Sequence, residues 1–279
     1  MYASDFWGCL KLPSTNPIEN LHMMMCKQIL GVQKQTTNTG VLLELGRVPL
    51  HLYAKKFAIK NWERVKRGQA NTILLSSYSD SINENLPWTN GVRSILENNG
   101  MLSFYTNDYT STTPFIAKRM FERIVDSFHQ NSFASINSVS SKLRTYAIFK
   151  KEIGLEKYLS DVKNVEIRRH VTKFRLSNHR LMIEVGRHLG IKNEEERFCP
   201  FCPEKVENEY HFLLECDMYK HQREICIKPL TDIHHGFKYL QKSLKIEFLM
   251  ASMDQNICNY ISNCFEIRSF LEQNHKRVI

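Results

Sequence analysis

The sequence predicts an all-α protein made of two helical subdomains, with a small Cys3His zinc knuckle in the second. Three observations carry this expectation. Apolar residues recur near period 3.6 behind helix-start signals at Asn16-Pro17, Pro49 and Thr113-Pro114. A Ser- and Asn-rich stretch from Ser127 to Ser141 reads as a hinge between two helical parts. Finally, Cys199, Cys202, His211 and Cys216 fall in the spacing C-x2-C-x8-H-x4-C.

Taken in order, the chain begins abruptly. Tyr2, Phe6, Trp7 and Leu10 need a partner surface and nothing precedes them to supply one, so the chain reads as a piece of something longer. Asn16 then offers a cap, Pro17 suits a first helical position, and Glu19 places a carboxylate in the first turn. Ile18, Leu21, Met24, Met25, Ile29 and Leu30 form the expected buried stripe, with Met23 to Met25 as adaptable core filling and Gly31 as the stop. A second start at Asn38 and Thr39 leads into Val41–Leu45 and stops at Gly46.

Pro49 opens a helix to about Arg67, with Tyr53, Phe57, Ala58, Trp62 and Val65 inward. Its other face carries Lys56, Lys60 and Arg64 at i, i+4 spacing, beside Lys55, Lys66 and Arg67. Such a ridge suits a phosphate backbone, although it is equally the pattern of a solvated face. Between Gly68 and Gly100 the chain is polar and broken. Helices are expected near 72–80 and 92–98, with turns at Asn90-Gly91 and Asn99-Gly100. Thr113 and Pro114 open an amphipathic helix to about Gln130 with Phe115, Met120, Phe121, Ile124, Val125 and Phe128 inward.

Beyond the hinge the charge changes. Residues 141–190 hold twelve Lys and Arg against five Asp and Glu, whereas 191–226 hold five against nine. Leu143, Tyr146, Phe149 and Ile153 mark one helix closed by Gly154, a second spans 165–176, and a third 178–188. The second carries Arg168, Arg169, Lys173 and Arg175 among Ile167, Val171, Phe174 and Leu176, and Arg180 opens the third. Basic helices with interleaved aromatics hold RNA or DNA through phosphate contacts and stacking. His170, His179 and His188 recur every nine residues, about 180° apart on a helix, so they do not converge as ligands on one straight helix. After Pro229, 232–252 and 254–273 read as two helices, in which Cys258 and Cys264 with Ile257, Tyr260, Ile261 and Phe265 look like core, as do Cys9, Cys26 and Cys226.

Three thiolates and an imidazole prefer Zn2+ over hard cations, and four protein ligands leave no open coordination position, which makes the predicted zinc structural. His211 and Cys216 are five apart, roughly 140° out of phase on an ideal helix. A helix carrying both has to be distorted or end between them. The prolines and the acidic loop from Glu204 to Glu209 argue for an exposed turn over a set of merely buried thiols.

The 279 residues are 42% hydrophobic, enough to bury a sizeable core. The eight cysteines are dispersed and no signal peptide is evident, which points to a reducing, intracellular setting, nucleus or cytoplasm, and away from secretion. The apolar windows at 21–30 and 246–253 are far shorter than the ~20 residues a membrane span needs. No membrane partner is therefore expected. A net charge of +9 favours polyanionic partners.

Several runs carry a family resemblance. They are LRTYAIFKKEIGL from Leu143, FRLSNH from Phe174, EERFCPFC from Glu195 and EYHFLLEC from Glu209, with FWG at Phe6, NLHMMMCKQILGV from Asn20 and ELGRVPL from Glu44. Together the chain resembles the C-terminal region of non-LTR (LINE-type) retrotransposon reverse transcriptases, in which a zinc-binding segment follows the polymerase and its thumb. The resemblance implies Cys199, Cys202, His211 and Cys216 as metal ligands. The chain is expected to divide into a thumb-like or connection region over 1–130, a basic helical region over 131–190, a zinc segment over 191–226 and C-terminal helices over 227–279.

A polymerase needs clustered carboxylates for two metal ions, yet Asp5, Asp80, Asp108 and Asp126 stand isolated, and no endonuclease set of Asp, His and Asn is evident. Catalysis is not expected of this chain alone. The expected function is nucleic-acid binding, RNA or DNA, by a zinc-stabilised module using Arg168, Arg169, Lys173, Arg175 and Arg180, and the ridge Lys56, Lys60 and Arg64. The alternatives are a protein-interaction scaffold with purely structural zinc, or a fragment of a longer, active RNA-directed DNA polymerase.

Overall fold

A computed structural model describes residues 3–10, 16–107, 114–138 and 141–275. Tyr2, Asp108, Thr113 and two residues of the expected hinge lie outside them. In chain order the helices are α1 (Ser4–Trp7), α2 (Pro17–Leu30), α3 (Asn38–Glu44), α4 (Leu50–Lys66), α5 (Thr72–Asn83), α6 (Pro87–Asn98), α7 (Ser103–Thr106) and α8 (Ile116–Ile136). Then follow α9 (Arg144–Phe149), α10 (Lys157–Asp161), α11 (Val165–Arg175) and α12 (Met182–His188). The hairpin β1 (Phe198–Cys199) and β2 (Cys202–Val206) precedes α13 (Lys220–Cys226), α14 (Lys228–Ile233), α15 (Lys242–Ser252) and α16 (Gln255–His275). The protein is all-α, and this hairpin is the only sheet among the described residues.

Two compact units divide the chain: residues 1–24 with 48–132, and residues 25–47 with 133–279. The expected basic region, zinc segment and C-terminal helices thus lie in one unit, which also recruits 25–47 from the N-terminal part. The reason is chemical. Glu44 at the end of α3 is fully buried and ion-paired with Arg175 at the end of α11, 2.6 Å away.

In the first unit, Trp62, Ile59, Val92, Leu96, Met101 and Met120 are the centre of a continuous core, and the Trp62 indole donates to the Tyr78 hydroxyl at 3.0 Å. Two carboxylates remote in sequence start its helices. Glu63 accepts from the backbone N–H groups of Phe115, Ile116 and Ala117 at 2.8–3.2 Å, satisfying the orphan donors at the head of α8. Glu63→Ala leaves those N–H groups buried without a partner and is expected to lower stability by on the order of 3 kcal/mol, read from denaturant melts.

Glu19 plays the same part for α4, accepting from the N–H groups of Leu50 and His51 at 3.2 Å and contacting the rings of His22 and His51 at 3.3 Å. Burial alone would raise its pKa. The bonds from His51, His22 and Leu50 outweigh burial and take it from its usual value near 4.5 down to about 2. A carboxylate depressed in the fold stabilises above its unfolded pKa, and that contribution is lost as pH falls from about 4.5 toward about 2. Acid titration of Glu19→Gln should show a shallower loss of stability across that window than the parent.

Several sequence expectations change. The buried side of α2 is His22, Met23, Cys26 and Leu30, while Ile18, Leu21, Met24, Met25 and Ile29 are exposed. Apolar residues occupy most of this helix's circumference, so periodicity alone did not select a face. On α4, Tyr53 and Phe57 are also exposed, because the side that packs is the one carrying Ala54, Ala58, Ile59 and Trp62. There small residues permit close approach: a Cβ added to Gly8 would stand 2.1 Å from the Ala54 carbonyl oxygen.

The Ser- and Asn-rich stretch is helical to Ile136, which is buried, and Ser132 spends its hydroxyl on the Phe128 carbonyl within the helix. Pro229 sits in the first turn of α14, a place its missing N–H tolerates, and the expected helix over 232–252 is divided between the end of α14 and α15. The expected helices over 143–153 and 178–188 are shorter. In the first case the chain turns extended at Lys150, and in the second Ser177 adopts a left-handed conformation (φ 50°) with α12 starting only at Met182.

Candidate metal centre

Cys199 and Cys202 pair across the β1–β2 hairpin, whose tight turn brings both thiols to one side. From His211 to Glu215 the backbone widens into a π turn, and the N–H of Cys216 bonds the His211 carbonyl at 2.8 Å. That five-residue closure resolves the phase problem of an ideal helix, and Cys216 follows in extended conformation. The four ligand atoms lie within 4.8 Å of one another, and this set could hold a metal ion.

The geometry fits coordination. The Cys216 sulfur is 4.0 Å from that of Cys199 and 3.9 Å from that of Cys202. A tetrahedron with metal–sulfur bonds of 2.3 Å has edges of about 3.8 Å, whereas a disulfide requires about 2.05 Å. Both ring nitrogens of His211 are buried without a hydrogen-bond partner among the described residues. An imidazole so placed is costly unless something accepts its lone pair. Contact with Cys216 and burial push the Cys199 thiol up, while the same contact lowers Cys216. The closest carboxylate to the His211 ring is Glu215, 3.7 Å from Nδ1.

Around this set runs a buried polar frame. Glu207 is nine-tenths enclosed and more: it accepts from the Met182 N–H at 2.6 Å and forms a two-pronged ion pair with Arg268 of α16. Its backbone bonds both Arg197 and Ile183, and the Cys199 thiol points at it from 3.7 Å. Glu209 bonds His179 at 3.2 Å and Arg144 at 3.3 Å. Burial would raise the Glu209 pKa, but His179 and Arg144 hold it at about 2. Arg197 donates to the carbonyls of Ile183, Ile191 and Lys192, and lies so close over Gly186 that a Cβ there would meet its side chain at 2.7 Å. From α16, Tyr260 donates to the carbonyls of Phe212 and Leu213 at 3.1 and 2.9 Å. Phe212 itself stacks against Phe265.

The Glu204–Glu209 loop is only partly an exposed turn. Glu204 and Lys205 face solvent, but Glu207 and Glu209 are internal counterions. These framing residues were not foreseen. The signal was the alternation Glu207-x-Glu209, which on an extended segment puts both carboxylates on one side.

The structure also sorts the expected nucleic-acid contacts. Arg175 is removed from the set, because it is 2% exposed and bound to Glu44 and Glu156 inside the core. Arg168 donates to the carbonyls of Val162 and Lys163, closing the start of α11, and Arg169 pairs with Glu166 and lies over Gly31. Lys173 and Arg180 line surface depressions, Arg180 4.0 Å from Glu272. On α4, Lys56 sits over the Phe121 ring at 4.4 Å, while Lys60 and Arg64 are exposed and line a cavity of about 490 Å³ with Phe57 and Arg67.

Comparisons with protein-family models, curated proteins and solved structures find no match for this chain. No described helix is long and apolar enough to cross a membrane.

Proposed function

We propose that this chain is a nucleic-acid-binding module stabilised by structural zinc, of the kind that its sequence resembles at the C-terminus of non-LTR retrotransposon reverse transcriptases. The observation that carries the reading is the closed Cys3His set together with its surroundings, in which Glu207 and Glu209 bond Met182 of α12 and Arg144 of α9, and Phe212 packs on Phe174 of α11. Three thiolates and one imidazole suit zinc, and with four protein ligands its part is to hold the fold. The cations left free of tight carboxylate partners, Lys60, Arg64, Lys173 and Arg180, supply the polyanion affinity. The reading assigns no catalytic step to this chain, and polymerase chemistry to a longer parent.

The test is metal analysis of purified protein joined to titration with labelled RNA and DNA at low and high salt. About one zinc per chain, and affinity that falls steeply with salt, are expected. Far less than one zinc, or no binding of any nucleic acid at low salt, overturns the reading. A second reading, a protein-interaction scaffold, is favoured by the exposed apolar residues Met25 and Ile29 on the second unit's part of α2. It predicts partner binding that ignores salt.

A further inference from the structure

Two depressions in the second unit, about 320 and 460 Å³, share Gln33, Asn178, His179 and Arg180 as common walls. Lys173 and His170 line the first, Lys142 and His188 the second, and Arg180 reaches both. Each also contains a carboxylate that is bonded to an arginine: Glu272 bonds Arg268 at 3.0 Å and stands 4.0 Å from Arg180, and Glu184 bonds Arg144 at 2.9 Å. Among the described residues neither Lys142 nor Lys173 has an ion-pair partner. The groove is thus positive, although acids line it.

Its second feature is a pair of unused hydroxyls. Thr36 and Ser177 both line the larger depression, and their hydroxyl oxygens are buried with no hydrogen-bond partner among the described residues. Buried polar atoms are nearly always satisfied, so two in one cavity wall call for a ligand that completes them. Ser177 also stands just past the end of α11 at φ 50°, where the N–H of Asn178 bonds back to the Lys173 carbonyl at 2.8 Å. Glycine is the residue such a helix end favours. Serine there is worse for the backbone and keeps a hydroxyl in the groove.

We propose that this groove binds a single strand of nucleic acid, with Arg180 between successive phosphates, Lys173 and Lys142 flanking it, and Thr36 and Ser177 donating to phosphodiester or sugar oxygens. The proposal rests on the nucleic-acid reading above and adds the binding face and the strandedness. Each depression is the size that admits one small-molecule-sized group, not a duplex. The uncharged side chains Gln33, Gln35 and Asn178 supply donors and acceptors suited to a sugar–phosphate edge.

The test uses the full, zinc-loaded chain with single-stranded RNA and single-stranded DNA of one sequence, and the matching duplex. Single strands should bind roughly fivefold or more tighter than duplex, and Lys173→Ala/Arg180→Ala should reduce the slope of log affinity against log salt by about two contacts' worth. Ser177→Gly should keep zinc content and melting temperature at or above the parent, yet weaken single-strand binding by roughly threefold or more, the cost of losing one hydrogen bond. A larger loss with RNA than DNA assigns that hydroxyl to the sugar, and an equal loss assigns it to phosphate. If these variants bind like the parent while Lys60→Ala/Arg64→Ala binds weakly, the groove is wrong and nucleic-acid binding stands. Complete competition by millimolar inorganic phosphate likewise overturns the strand and leaves a simple anion pocket. If the parent binds no nucleic acid at all, the broader reading fails with it.

Discussion

On the proposed zinc reading, Cys202→Ser, or treatment with a chelator, is expected to unfold the second unit's knuckle and the helices it frames, not just loosen a loop. Structural zinc in small domains supplies an apparent ~10–16 kcal/mol, comparable with the whole stability of a domain, about 5–15 kcal/mol. A serine hydroxyl is a poor substitute for a thiolate at such a site. The damage should spread along identified bonds. If the Cys3His set is emptied, only the surrounding frame ties the β1–β2 turn to the π turn, so Glu207 is expected to lose its register with Met182 and Arg268, and Glu209 with His179 and Arg144. Hydrogen exchange should accelerate across 178–226 and α16 first, with a matching drop in far-UV circular dichroism. A chelator-treated parent that melts like the untreated protein would show that packing alone holds the knuckle.

The ligand set was legible because metal spacing is a local property: four residues within eighteen positions state it. The start of α2 was legible for the same reason, since Asn16 caps it from within one turn, accepting from the Ile18 N–H at 3.0 Å. What the sequence hid was long-range. Glu19 and Glu63 look like surface acids until the helices they cap, at Leu50 and Phe115, fold against them. Charge counting shares this blindness: it treats Arg175 and Glu209 as solvent groups, while both are buried in pairs whose members are far apart in the chain. On α2 the failure was different, because residues apolar nearly all round a helix leave the choice of buried side to tertiary contacts.

Arg175→Met is the second large effect, and it separates a core cation from a nucleic-acid contact. The Arg175 guanidinium bonds Glu44 through Nε at 2.6 Å and Glu156 through Nη2 at 2.6 Å, and lies 4.6 Å from the centre of the Phe149 ring. Burial works against its charge, but the two carboxylates overcome that and raise its pKa. Glu44 is bonded as well by the Tyr158 hydroxyl, which in turn meets Thr172 at 2.6 Å. Removing the cation leaves the buried Glu44 carboxylate without its counterion, while the partly exposed Glu156 keeps Lys150, and one uncompensated buried charge typically costs about 3–5 kcal/mol. Restoring neutrality with Glu44→Gln in the same chain should recover part of the loss, since an uncharged group of similar shape needs no counterion. Binding supplies the contrast. Under conditions where Arg175→Met remains folded, its salt slope with RNA or DNA should equal the parent's, whereas each true phosphate contact removed lowers that slope by about one. A reduced slope in folded Arg175→Met would return this arginine to the binding surface and contradict its place in the core.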